Sequence, residues 1–402
     1  MKHGGVLLAL ALVSLWLYAP SVVPDTGTRD DNRLESESRE LAARHWHDRS
    51  GHAFPLFFQA SGDVWLTPVP VYLGALLTRS LSSPNGVRWA AALTGVLDVL
   101  LLYVLAFALF RRAGPAVLAA VLLLTSPAHF SLARASGPNG VWEVPFLVTW
   151  LIGMTYFVRD SGGGARRMLA VGAAALAASL YSQPSAAVVV PFLVILTAVV
   201  VSLDGRLRWR EVWPASATFV VILTPTLLWL ATHREAYVDT FGRWLIHPAH
   251  VRNPLEWAQA VSNWGTLTVW TETFWDFMNP THLFINDMAP AGVGAFVSPL
   301  SILTVVGFHT ALAGRAGTPY VSNLFRSVMI VFIIVPLMVA TFKEPRAIEL
   351  ALVVMPCGAL LATLGAQSLY QRKRALGQTS SVVTVIAALI QFVIYYAGQK
   401  SV

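Results

Sequence analysis

The stretch GVRWAAALTGVLDVLLLYVLAFALF, residues 86–110, decides the fold. Only Arg88, near its start, and Asp98, in its middle, interrupt an apolar run. A helix rises about 1.5 Å per residue and bilayer hydrocarbon is about 30 Å thick, so the run is long enough to cross it. Arg111 and Arg112 follow at once, as basic residues do where a span ends on the cytoplasmic side.

Runs of the same kind recur on both sides of it. Spans are expected near residues 5–23, 86–110, 115–132, 141–158, 168–182, 186–203, 213–232, 292–313, 327–341, 348–369 and 380–397. The chain of 402 residues is 55% hydrophobic and 12% charged, with 14 Trp and a mean hydropathy of +0.61. That composition excludes an ordinary soluble protein, whose surface needs more charge. The expected fold is all-α: one polytopic membrane domain over 1–402 with about eleven transmembrane helices. The net charge of +7 does not point to nucleic acid, because no basic stripe with interleaved aromatics occurs in a soluble segment. Cys357 is the single cysteine, which excludes an intrachain disulfide and a cysteine metal site.

Basic residues test the map. With Lys2 inside, the cytoplasmic loops carry Arg111 and Arg112, then Arg159, Arg166 and Arg167, then Arg206, Arg208 and Arg210. Arg315 and Arg326 come next, and Arg372, Lys373 and Arg374 last. The agreement requires Thr67–Leu81, TPVPVYLGALLTRSL, to lie at the outer interface rather than cross. The first apolar run, GGVLLALALVSLWLYAPSVV, lacks a small-residue cleavage site and is expected to be an uncleaved span. The expectation is thus a multi-pass protein of the plasma membrane with a cytoplasmic N-terminus.

Two long segments then face outward. One is 24–85, with interfacial helices. The other is 233–291, crowded with Trp244, Trp257, Trp264, Trp270 and Trp275. Indole favours the headgroup zone, so this second loop is expected to lie on the membrane.

In the first, TRDDNRLESESRE (residues 28–40) sets a crowd of charges where the chain leaves the bilayer. Ion pairs along an amphipathic helix account for most of its glutamates and arginines. Asp30 and Asp31 precede that helix, and a carboxylate there is placed to act as a general base on an interfacial substrate. Asp63 follows between Gly62 and an aromatic-proline run stiffened by Pro68 and Pro70. Asp98 is ionisable at membrane depth; a hydrogen-bonded structural acid and a proton-coupling group are its two readings. HWHDRSGH (residues 45–52) does not read as zinc ligands, because i and i+2 side chains of a helix diverge. No metal site is expected.

Taken in order, the acidic pair, GHAFPLFFQASGDVWLTPVPVYLGALL, PNGVRWAAALTGVLDVLLLYVLAFALFRR and SPAHFSLARASGPNG resemble the GT-C class of integral-membrane glycosyltransferases. The similar branch contains protein O-mannosyltransferases and lipid A aminoarabinose transferases. Weaker echoes continue in LYSQPSAAVVVPFLVI, NPTHLFINDMAPAGVGAFVSPLSIL and KEPRAIELALVVMPCGALL, so the likeness covers most of the chain.

This resemblance implies transfer of a sugar, with inversion, from a polyprenyl phosphate to a hydroxyl acceptor on the outer face. It implies membrane lipid and the lipid-linked donor as partners, and no tightly bound cofactor. The family's essential acid falls on Asp31 or, in the next register, Asp30, with Asp63 orienting acceptor or base. The glutamate that usually follows the acid is replaced, and Thr67 stands where a lysine often precedes the prolines. Arg134 matches a family position at the outer end of the third span, and Arg346 stands where the family often carries a basic residue near the donor phosphate, with Lys343 beside it. These would hold the donor phosphate, and a snorkelling residue at a helix end is the other reading of both arginines. Pro68, Tyr72 and Glu143 would border the substrate groove. A transporter or lipid flippase is the rival reading from another class, and an inactive scaffold is the third.

Overall fold

The computed structural model describes residues 2–20, 29–49, 51–59, 65–137, 140–160, 162–203, 205, 208–233, 259, 263–284, 294–296, 300–340 and 352–400. The chain opens with α1 (Lys2–Tyr18) and α2 (Arg29–Ala43). A small antiparallel hairpin follows, β1 (Phe58–Gln59) and β2 (Trp65–Leu66), with Phe58 opposite Leu66 and Gln59 opposite Trp65. Next come α3 (Pro68–Leu81), α4 (Gly86–Phe110), α5 (Ala113–Leu124) and α6 (Pro127–Leu132). A 3-10 turn, η1 (Val141–Glu143), leads into α7 (Val144–Arg159), α8 (Gly163–Ser179), α9 (Ala186–Leu203) and α10 (Trp209–Thr232). The second half holds α11 (Trp264–Met278), α12 (Pro280–Phe284) and α13 (Leu300–Leu312), then α14 (Pro319–Val339), α15 (Val354–Arg372) and α16 (Arg374–Lys400).

The fold is all-α and membrane-spanning, as expected. Six segments among the described residues are long and apolar enough to cross a membrane: 86–110, 141–159, 186–203, 209–232, 319–339 and 374–397. His3–Tyr18, Ala113–Leu124 and Leu300–Leu312 are apolar but shorter. Every expected span contains a helix, and Thr67–Leu81 forms the separate helix α3. The helices at 163–179, 319–339 and 354–372 are shifted or lengthened by several residues from the expected 168–182, 327–341 and 348–369, and two further spans differ more. The expected span 115–132 divides into α5 and α6 at Thr125–Ser126, because Pro127 has no N–H to give and pushes Ser126 out of helical geometry. Ser126 is extended at ψ 121°. The expected span 292–313 is helical from Leu300 among its described residues.

A continuous buried apolar cluster runs from Leu10 through Trp142 and Trp150 to Tyr395. Helix pairs close on small residues, since lipid offers no hydrophobic drive between helices and close backbone contact must supply the attraction. Gly307 and Gly365 face the opposing backbone of the α13–α15 pair so tightly that a Cβ would collide with the carbonyls of Leu361 and Leu303. Gly153 does the same between α7 and α8, where a Cβ would stand 2.5 Å from the Met168 carbonyl oxygen and 2.9 Å from the Gly172 Cα. The alternation of helices gathers α2, the hairpin and α3 at one end of the bundle, and the arginine-rich turns at the other.

Candidate functional site

α2 is the first part of the candidate site. Leu34, Ser38 and Leu41 are buried against the neighbouring helices. Gly74 of α3 permits that approach: a Cβ there would stand 2.6 Å from Val87 and 2.8 Å from Ser38 Oγ. The charges on the other face pair among themselves. Glu35 bonds Arg39 at 2.9 Å and lies 3.6 Å from Arg88. Glu40 bonds Arg44 at 2.6 Å and Arg49 at 2.8 Å, and Arg49 also reaches Glu37 at 2.6 Å. Burial raises the Glu37 carboxyl above its ordinary pKa, an effect that Arg49 opposes. Glu40 in turn raises Arg49 through its hydrogen bond.

All three glutamates of the stretch are thus committed to holding α2 on its neighbours. The expected bases, Asp30 and Asp31, lie in the first turn of α2, with their side chains outside the described residues. The first turn favours negative charge, because unpaired N–H groups and the helix dipole both point there. They fall inside the helix rather than ahead of it, as the sequence reading had placed them.

The hairpin and α3 form the second part. Asp63 falls in the connection between β1 and β2, outside the described residues. Thr67 Oγ1 donates to the Ser182 carbonyl at 3.0 Å, and the Val69 N–H to that of Tyr181 at 3.0 Å. These bonds fix α3 to the α8–α9 turn. Pro68 is buried behind them. Tyr72 donates its hydroxyl to the Pro55 carbonyl at 2.8 Å and stacks on Trp46. Burial, with Asp48 nearby, pushes its phenol up to about 12. Phe57 and Trp65 pack on Trp229 at the end of α10, with centroids 4.4 and 5.0 Å apart.

Glu143 is buried in η1 and accepts from Ser185 Oγ at 3.0 Å. Ser185 belongs to the same α8–α9 turn that grips the start of α3, so Glu143 and Pro68 meet at that turn, while Tyr72 faces Pro55 and Trp46. Arg134 is placed after α6, with its guanidinium carbon 5.2 Å from the Phe130 ring and 6.0 Å from the Tyr396 ring. Arg346 and Lys343 lie outside the described residues.

A buried polar relay was not foreseen. Asp98 Oδ2 lies 3.2 Å from His129 Nε2, and His129 Nδ1 lies 2.9 Å from the Tyr18 hydroxyl. All three side chains are fully buried. If Nε2–H donates to the carboxylate, Nδ1 accepts from the phenol, which satisfies the ring on both sides. The network ties α1, α4 and α6 together directly beside Arg134. Asp98 was visible in the sequence; His129 was hidden in PAHF, with nothing local to join it to an acid 31 residues earlier.

No group of three or more His, Cys, Asp or Glu able to hold a metal occurs among the described residues. In HWHDRSGH, His52 Nδ1 pairs with Asp48 at 3.3 Å, and His47 Nδ1 faces backbone carbonyls of Arg44 and His45.

Comparison with known proteins bears on this arrangement. The family model described as dolichyl-phosphate-mannose-protein mannosyltransferase matches residues 66–229, from the last residue of β2 through α3 and on into α10. No curated protein matches in sequence. The fold is similar to the crystal structure of ArnT from Cupriavidus metallidurans in the apo state, with a TM-score of 0.63 at 15% identity, covering 100% of this chain and 77% of that one. ArnT from the same organism bound to undecaprenyl phosphate gives 0.62 at 13%, over 99% and 76%. The Archaeoglobus fulgidus oligosaccharyltransferase tethered to an acceptor peptide gives 0.55 at 13%, over 99% of this chain and 55% of that one. Over nearly its full length the chain therefore has the fold of the GT-C class of integral-membrane glycosyltransferases, and it resembles their protein mannosyltransferase and aminoarabinose transferase branch.

Proposed function

We propose that the chain is an inverting membrane glycosyltransferase that takes a sugar from a polyprenyl phosphate and gives it to a hydroxyl acceptor: a glycolipid, a polysaccharide or a protein. The observation that carries this is the likeness, along almost the whole chain, to the ArnT structure bound to undecaprenyl phosphate. The reading places the protein in the plasma membrane with its N-terminus in the cytoplasm and α2, the hairpin and α3 on the outer side. The arginines of the opposite loops support that orientation.

In this reading Asp31 or Asp30 takes the proton of the acceptor hydroxyl as its oxygen attacks the anomeric carbon. The bond from that carbon to the phosphate oxygen breaks, and the electron pair leaves with the lipid phosphate. One displacement on the face opposite the leaving group gives inversion. Phosphate leaves readily, so one carboxylate and a cationic cradle suffice. Arg134 and Arg346, with Lys343, would supply the cradle, since the guanidinium fork matches phosphate oxygens. Asp63 would orient the acceptor or the base.

The test is transfer in membranes containing the wild type, Asp31→Asn or Asp30→Asn, with a panel of labelled polyprenyl-phosphate sugars and native membrane extract as acceptor. Loss of transfer at unchanged protein level with one of the two names the base. Transfer unaffected by either removes both from the chemistry.

A further inference from the structure

At the end of the bundle away from α2 and α3, four helix ends surround a cavity of about 260 Å³. It lies between the end of α4, the turn from α13 to α14 and the last turn of α15. Arg111, Arg112 and Arg315 line it, with Gln367, Ser368 and Gln371 on the α15 side. No acidic residue lines it. Among the described residues, none of the three guanidinium groups enters an ion pair or a side-chain hydrogen bond. The neighbouring Arg326 differs, for it is held by Asn323 and the Leu312 carbonyl.

The preference for basic residues in cytoplasmic loops explains why arginines occur at these turns. It does not explain why those of two distant turns meet in one concavity beside amide and hydroxyl donors. Arg111 adopts left-handed backbone geometry at φ 56° to end α4 there, a conformation uncommon for a residue with a Cβ. The three side chains are exposed, so solvent screens part of their mutual repulsion, and an anion among them would relieve the rest. Arginine forks bind phosphate oxygens in pairs, and amide and hydroxyl groups suit the ester and glycerol oxygens of a head group. Leu109, Phe110 and Leu364 give the cavity apolar walls. Basic pockets between spans at the membrane surface are where anionic head groups bind.

We propose that Arg111, Arg112 and Arg315 form a binding site for a phosphate-bearing anion, at the end of the bundle opposite the proposed catalytic face. The shared chemistry is an anionic phosphate group, borne by an anionic phospholipid or by a free phosphate. The site does not depend on the transferase reading.

The test uses the full chain in detergent, titrated in separate arms with short-chain phosphatidylglycerol, short-chain phosphatidylcholine and inorganic phosphate. Bound ligand is counted by native mass spectrometry. Phosphatidylglycerol retained over phosphatidylcholine by about tenfold, and lost in Arg112→Gln/Arg315→Gln but not in Arg208→Gln/Arg210→Gln, is the expected result. The second pair removes equal charge from another turn of the same end. Inorganic phosphate that binds with the same dependence on Arg112 and Arg315 supports the site with free phosphate as the source. Equal retention by both double variants, or no preference between the two lipids and no phosphate binding, overturns it. Should the first double variant fail to fold, a photoreactive phosphatidylglycerol on the wild type decides: label in peptides 109–112, 315–321 and 364–371 supports the site, and label only elsewhere overturns it.

Discussion

His129 stands 3.2 Å from Asp98 and 2.9 Å from the Tyr18 hydroxyl, with no exposure to solvent at any of the three. A buried donor that loses its acceptor carries the full cost of desolvation, about 1–3 kcal/mol. Asp98→Leu is expected to lower the apparent melting temperature in detergent more than Asp98→Asn, which keeps an oxygen for His129. Equal losses in the two variants would show that the acid acts only by its volume.

The base assignment predicts a large loss. Removing a positioned general base costs about 10²- to 10⁴-fold. Asp31→Asn or Asp30→Asn is expected to lose transfer on that scale while the melting temperature stays near that of the wild type. Glu35→Gln, which breaks pairs with Arg39 and Arg88, is expected to do the reverse.

Arg134 holds its charge against Phe130 and Tyr396. Lysine keeps the charge but not the fork. In the proposed reading, Arg134→Lys raises the KM for the lipid donor by about tenfold or more, with a smaller change in kcat. A fall in kcat alone, at constant KM, would separate Arg134 from donor binding.

Glu37 supplies a pH dependence. Burial raises its carboxyl above the ordinary value of 4.5. A group that holds its proton more tightly when folded adds stability below its unfolded pKa, and that stability is lost as pH rises through the folded value. The apparent melting temperature is therefore expected to decline from mildly acidic pH upward, and Glu37→Gln to flatten that decline. An identical slope in wild type and variant would place the titration elsewhere.

Packing supplies a further case. A side chain at Gly365 would enter the Leu303 carbonyl, whereas Gly163 at the start of α8 has open space around it. Overpacking costs about 1–3 kcal/mol. Gly365→Leu is expected to reduce the yield of monodisperse protein and its melting temperature, and Gly163→Ala to change neither.

The apolar helices and the separate helix at Pro68–Leu81 were legible in the sequence. Each depends on the hydropathy and charge of consecutive residues, and lipid imposes that pattern locally. The paired state of TRDDNRLESESRE was half legible: the i, i+4 bonds Glu35–Arg39 and Glu40–Arg44 follow from helix periodicity. Arg49 meeting both Glu37 and Glu40 does not, because the chain must first turn back after α2. The tertiary structure alone decided the rest. It joined His129 to an acid 31 residues away and to a phenol 111 residues away. It set Ser185 against Glu143, and it gathered arginines from two distant turns around one cavity. Such meetings are fixed by which helix faces touch and where small residues let backbones close, and no stretch of consecutive residues contains that information.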